Sequence, residues 1–187
     1  MTTVYYTATT LDGFLADPDD SLDWLFRQKQ DDGGPFDYEV FIEKVGALAM
    51  GATTYEWVRA HLAGSREPWP YRQPTWVFTH RRLPLIEGAD VRFTDGAVDQ
   101  VHAAMSRAAD GKDLWIVGGG ALAADFARGG LLDEIVVSIA PVTLGAGRPL
   151  LAGRFDLKLL ETAPNVDFIC ARYRVLGMLT EDLPDGE

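Results

Sequence analysis

The sequence predicts an α/β fold: three layers, helix–sheet–helix, around a mostly parallel central sheet of about eight strands with an antiparallel C-terminal edge. Three observations carry this. Strand-like and helix-like runs alternate from residue 3 to residue 140, the pattern of βα units feeding a parallel sheet. The last two apolar runs, 156–162 and 167–176, are joined by a short turn around Pro164-Asn165, which suits an antiparallel pair. Two strands also run straight through glycine into a helix start, at Met50-Gly51-Ala52-Thr53-Thr54 and at Val117-Gly118-Gly119-Gly120-Ala121-Leu122.

Taken in order, residues 3–11 are rich in β-branched and aromatic types and predict the first strand, with Phe14-Leu15-Ala16 a short extension beyond the Asp12-Gly13 turn. Asp17 to Ser21 is a loop whose last residues suit a helix cap, and Leu22 to Gln30 predicts a short helix carrying Trp24. Asp31 to Pro35 breaks it. Phe36 to Val45 predicts a helix, with Tyr38, Phe41, Ile42 and Val45 as its apolar stripe and Asp37 in its first turn. Ala47 to Met50 predicts a buried strand. The helix after Gly51 has Tyr55, Val58 and Leu62 on one face, and Thr53 or Thr54 is a natural cap. Strands follow at 74–79 and 91–94, a helix at 97–109, and a strand at 114–117. The next helix stops at Gly129-Gly130, and Glu134 to Ala140 is the most strand-like run in the chain. Residues 1–178 read as one domain and 179–187 as an acidic flexible tail.

The glycine junctions carry the chemistry. Glycine after a strand leaves backbone N–H groups bare at the positive end of a helix dipole, a seat for phosphate or pyrophosphate. A tight turn is the plain alternative. The spacing Gly118-x-Gly120-x-x-Ala123 fits a dinucleotide fingerprint, but it lies two-thirds of the way along, and Asp133 and Glu134 precede the next strand. A nucleotide site is therefore favoured over a Rossmann one. Thr79-His80-Arg81-Arg82 ends a strand, so Arg81 or Arg82 is placed to clamp a phosphate monoester, against the alternative of a solvated charge pair.

Composition narrows the classes. The 187 residues suit one domain with a sizeable core, and 47% of them are hydrophobic. The net charge of −11 argues against nucleic acid and anionic membrane surfaces as partners, so an anionic cofactor must be held by local groups. No apolar run reaches membrane-span length, and the N-terminus has no signal-peptide pattern. One cysteine, Cys170, excludes an internal disulfide and fits a cytoplasmic setting, and no Cys/His cluster supports a metal site.

Five ordered blocks carry a resemblance: Thr10-Leu11-Asp12-Gly13-Phe14, Met50-Gly51-Ala52-Thr53-Thr54-Tyr55-Glu56, Val77-Phe78-Thr79-His80-Arg81, Ile116-Val117-Gly118-Gly119-Gly120, and Asp133-Glu134-Ile135 through to Pro149-Leu150. Over residues 3–176 the chain resembles the dihydrofolate reductase fold, in the branch that includes the reductase domain of riboflavin biosynthesis, the RibD C-terminal domain. The resemblance implies an NADPH-dependent reductase that passes hydride to a C=N or C=C bond of a small pterin- or pyrimidine-like heterocycle. The riboflavin-pathway pyrimidine reductase, or a dimeric nucleotide-binding protein without catalysis, is the alternative. It further implies that Gly118, Gly119 and Gly120, with Val117, Ala121 and Leu122, approach the pyrophosphate through a strained Gly-Gly peptide. Gly51, Thr53 and Thr54 would hold phosphate oxygens, and Thr79 and Arg81 the adenosine 2′-phosphate. Asp37 would be the catalytic carboxylate, with Phe41 four residues later, and Asp12, Gly13 and Trp24 would lie beside the substrate and nicotinamide. A homodimer is expected. The family usually has Arg after the second block's glycine; Ala52 removes a bidentate phosphate partner worth about 1.5–3 kcal/mol, at the expense of NADPH affinity or of its advantage over NADH.

Overall fold

The computed structural model describes residues 1–65 and 67–179. Eight strands form one sheet in the order β5-β4-β3-β6-β1-β7-β10-β9. They are β1 (Thr3–Thr10), β3 (Val45–Gly51), β4 (Thr75–Phe78), β5 (Val91–Thr94), β6 (Asp113–Gly118), β7 (Glu134–Ala140), β9 (Phe155–Asn165) and β10 (Phe168–Met178). Every pairing from β5 across to β7 is parallel; β10 runs antiparallel to both β7 and β9. The three-layer α/β architecture with an antiparallel edge is thus the one the sequence predicts.

The sheet alternation sorts side chains to two faces. Tyr5, Ala47, Ala49, Leu114, Ile116, Ile135 and Val137 pack against α4 (Val98–Ala108) and α5 (Gly120–Arg128), whose Met105 and Phe126 are fully buried. On the other face Leu48, Met50, Val77 and Trp115 meet α2 (Tyr38–Ile42), Tyr55 of α3 (Ala52–Ser65) and the segment carrying Trp69 and Tyr71. The helices that follow β3 and β6 therefore leave on opposite faces. The two strands are neighbours, so a crevice opens between them at their C-terminal ends, the topological position where α/β sheets bind ligands.

Several boundaries differ from the sequence reading. The helix expected over 22–30 is a single turn, α1 (Asp23–Phe26), because Trp24 turns inward and anchors it. The helix expected over 36–45 is only α2: Phe36 takes φ +58°, and Val45 already belongs to β3. Gly46 permits that early strand start, since a Cβ there would lie 2.7 Å from Ala109 Cα. The final hairpin turns at Val166-Asp167, one step later than expected, with Asn165 paired to Phe168. Pro164 lies inside β9, which is tolerated because β9 is the sheet edge. A small second sheet was not foreseen: β2 (Phe14–Ala16) is no extension of β1 but pairs with β8 (Arg148–Pro149). The acidic tail, apart from Leu179, falls outside the described residues.

Candidate dinucleotide site

β3 passes into α3 without a linker, Gly51 ending the strand and Ala52 starting the helix. Thr53 and Thr54 therefore sit inside the first turn, not at the cap. β6 ends at Gly118, and Gly119 caps α5 at φ +96°, ψ 96° with no side-chain cap. α4 likewise starts from Ala97 without a side-chain cap. The first-turn N–H groups of α4 and α5 are thus left without the side-chain acceptor that usually satisfies a helix start. The two glycine corners adjoin: a Cβ built on Gly119 would stand 4.0 Å from Gly51 N, with only Leu122 Cβ nearer, at 3.7 Å. No cis peptide bond occurs among the described residues; the unusual backbone here is the positive φ of Gly119.

A cavity of about 760 Å³ lies over these corners. Of the residues expected at the cofactor, Gly51, Thr53, Thr54, Thr79, Gly119, Ala121 and Leu122 line it. Val117, Gly118 and Gly120 form the structure behind the wall. Gly118 lets β6 pass Thr54, whose Oγ1 would lie 2.9 Å from an added Cβ, and Gly120 lies against the backbone of Pro149 and Leu150. Sequence reasoning missed His80, Asp95, Asp125 and Arg128, which also face the cavity. Asp95 was findable: it directly follows β5, as Gly51 ends β3 and Thr79 follows β4.

The expected 2′-phosphate pair is not arranged for that task. The Thr79 hydroxyl accepts from Arg81 N at 2.9 Å, closing a local turn. Arg81 lies outside the cavity lining and donates from both Nη atoms to the Glu56 carboxylate, at 3.1 and 2.6 Å. Arg82 does not line the cavity either. Arg128, the arginine that does, is paired with Asp125 at 2.7 Å. The glycine corners fit a pyrophosphate; among the described residues no arginine or lysine without a carboxylate partner lines the cavity to meet a further phosphate.

Asp37 and Phe41 come together elsewhere, at a cavity of about 540 Å³ between α2 and strands β1, β7 and β10. Asp37 is the N-cap of α2: Oδ1 accepts from Val40 N and Oδ2 from Gly33 N, both at 2.9 Å. Phe41 stacks on Tyr6 with centroids 4.5 Å apart, and both rings meet Trp115 edge-on. Burial, with smaller contributions from Cys170, Asp37 and Tyr38, pushes the Tyr6 hydroxyl up to about 12, and that hydroxyl donates to Phe36 O at 2.8 Å. The two cavities share no lining residue.

Asp12 and Trp24 have structural work instead. The Asp12 carboxylate accepts from Thr10 Oγ1 at 2.6 Å, Leu144 N at 3.0 Å and Gly145 N at 2.7 Å, tying the first turn to the loop after β7. The Thr10 hydroxyl foremost, with those backbone amides, holds the carboxyl below the usual range. Gly13 makes the turn at φ +81°. Trp24 is 3% exposed, packs with Ala140, Phe168 and Cys170, and donates from Nε1 to Leu15 O. It lines neither cavity.

Comparison with known proteins agrees with this fold. The family described as RibD C-terminal domain matches residues 2–171. The chain belongs to that family. Its kin include Bacillus subtilis YwjB, an uncharacterized protein 33% identical over 151 residues, which span 79% of this chain and 81% of YwjB. A candidate riboflavin biosynthesis protein from Shewanella sp. PV-4 superposes with a TM-score of 0.78 at 26% identity, over 94% of this chain and 99% of the other. Dihydrofolate reductase from Enterococcus faecalis, solved with NADP(H), has a TM-score of 0.60 at 17% identity, over 94% and 96% of the two chains, and so shares the fold. The chain is thus a RibD C-terminal domain with a dihydrofolate reductase-like fold. Among the described residues no helix is long and apolar enough to cross a membrane.

Proposed function

We propose that the protein is a cytoplasmic reductase that binds a reduced nicotinamide dinucleotide across the β3/β6 crevice and passes hydride to a C=N or C=C bond of a small heterocycle. One observation carries the reading: two adjacent glycine corners, each opening a helix, under one large cavity at the C-terminal ends of β3 to β6. The pyrophosphate would lie against the first-turn N–H groups of α3 and α5, with Thr53 and Thr54 hydroxyls beside it. When bound, the dinucleotide supplies the hydride. The chain supplies orientation and a dry wall.

The Asp37 cavity is separate from the glycine corners, so this reading needs the nicotinamide end to extend out of the crevice to the Tyr6–Phe41 wall, where a flat apolar face and the oriented Asp37 carboxylate would hold the acceptor. Among the described residues each Asp37 oxygen accepts one backbone N–H, so lone pairs remain to take a heterocycle N–H. Asp37→Asn keeps the bond from Val40 N through its one carbonyl oxygen, loses the acceptor for Gly33 N and removes the charge; it should cost about 1 kcal/mol of stability, and a fall in kcat measured well below the transition supports that role. A homodimer is supported by the apolar edge: Leu157, Leu159, Ile169, Leu176 and Met178 are exposed on β9 and β10. Light scattering on the eluted peak gives the mass directly.

The primary test is equilibrium titration with NADH and NADPH, followed by nucleotide fluorescence and calorimetry. Binding of at least one is the expected result. If neither binds at millimolar concentration, the reductase reading is wrong.

A further inference from the structure

NADH and NADPH differ at one group, the phosphate on the adenosine 2′ oxygen, which carries close to two negative charges at neutral pH. The dinucleotide reading puts the pyrophosphate at the β3/β6 corners, so the adenosine end runs outward along the sheet, over β4 and β5. The polar lining there is Thr79 and His80 after β4, Thr94 at the end of β5 and Asp95 just beyond it. Thr94 Oγ1 accepts from Gly96 N at 3.1 Å, which fixes the short turn that carries Asp95. Asp95 has no ion-pair partner among the described residues. At the start of α3, where a side chain could reach the same region, stands Ala52. Arg81, one residue past His80, is turned away onto Glu56 by a two-pronged bond.

A carboxylate accepts a hydrogen bond from a ribose 2′-hydroxyl and repels a 2′-phosphate. We propose that this cavity selects NADH over NADPH. Asp95 reads the free 2′-hydroxyl, and Glu56 is a positioning residue that withholds Arg81. The two act in one direction: one adds a negative charge where the phosphate would sit, the other holds the Arg81 guanidinium on Glu56 and out of the cavity. An exposed ion pair is weak by itself, so Glu56 contributes the smaller share.

The inference rests on the dinucleotide reading, and the experiment separates the two. Dissociation constants for NADH and NADPH are measured by calorimetry on the full chain at pH 8, where imidazoles carry little charge. The wild type is expected to bind NADH about tenfold more tightly than NADPH. Asp95→Asn is expected to strengthen NADPH binding about tenfold, and Glu56→Gln about threefold. Asp95 is exposed and Glu56 half-buried, so neither change empties the core, and circular dichroism verifies the fold. Tighter NADPH than NADH in the wild type overturns the proposal. So does a ratio that neither variant moves. Binding of neither dinucleotide overturns the reductase reading, and this inference falls with it.

Discussion

Gly119→Ala tests the glycine corner directly. Gly119 holds φ +96°, ψ 96°, a region costly for any residue with a Cβ. The added methyl itself has room, with Leu122 Cβ at 3.7 Å and Gly51 N at 4.0 Å, so the penalty is one of backbone conformation and not of collision. Holding a non-glycine residue there costs about 1–3 kcal/mol. For a chain of this size that lowers Tm by about 2–12 °C. The methyl also stands between the two corners, where a pyrophosphate would approach. Losing a charge-assisted bond from that approach weakens dinucleotide binding about tenfold or more. Thermal denaturation and calorimetric titration read the two effects separately. Gly120→Ala is the comparator: its methyl would meet Leu150 O at 2.6 Å, a backbone collision, and it should destabilise the fold more. An unchanged Tm for Gly119→Ala would show that this backbone does not sit at positive φ. An unchanged affinity, with the Tm lowered, would show that the dinucleotide does not approach this corner.

Trp24→Ala should lower stability by about 3–5 kcal/mol in urea titration, as expected for a fully buried indole, while NADH affinity measured below the transition stays within twofold. Tyr6→Phe removes the bond to Phe36 O and should cost about 1 kcal/mol at pH 7. Because the folded Tyr6 hydroxyl is raised to about 12, its contribution is complete below the ordinary tyrosine value near 10 and is lost as pH rises through 12; the variant should show a flatter stability profile over that window. Asp12→Asn should speed hydrogen exchange at the Leu144 and Gly145 amides. Its lowered carboxyl gives stability that is present above the ordinary aspartate range and lost as pH falls through the folded value, so the wild-type amides should also lose protection in strong acid.

The sheet was largely legible in the linear chain. Its central strands are short continuous apolar runs, buried on both faces, and the glycine corners are local requirements of backbone geometry. Each is written in adjacent residues: Met50-Gly51-Ala52, Val117-Gly118-Gly119. Helix ends were less legible. The stripe over 36–45 continued into Val45, whose burial comes from the sheet, and only the contact of Gly46 with Ala109 decides where the strand begins. The two-residue strand β8 carries no periodicity at all, and its pairing with β2 becomes visible only when Phe14 meets Pro149 and Ala16 meets Arg148 across the fold.

By itself the sequence determined the fold class, the two junctions that open helices at glycine, and the absence of a disulfide. These depend on φ, on side-chain periodicity and on composition, all properties of neighbours along the chain. Tertiary structure alone decided what the charged and aromatic groups do. It turned Arg81 onto Glu56, brought Asp95 to the cavity, sank Trp24 into the core and gave Asp37 a capping role. Charge pairing and burial are set by distance in space, and a linear pattern of residues carries that distance only after the chain has folded.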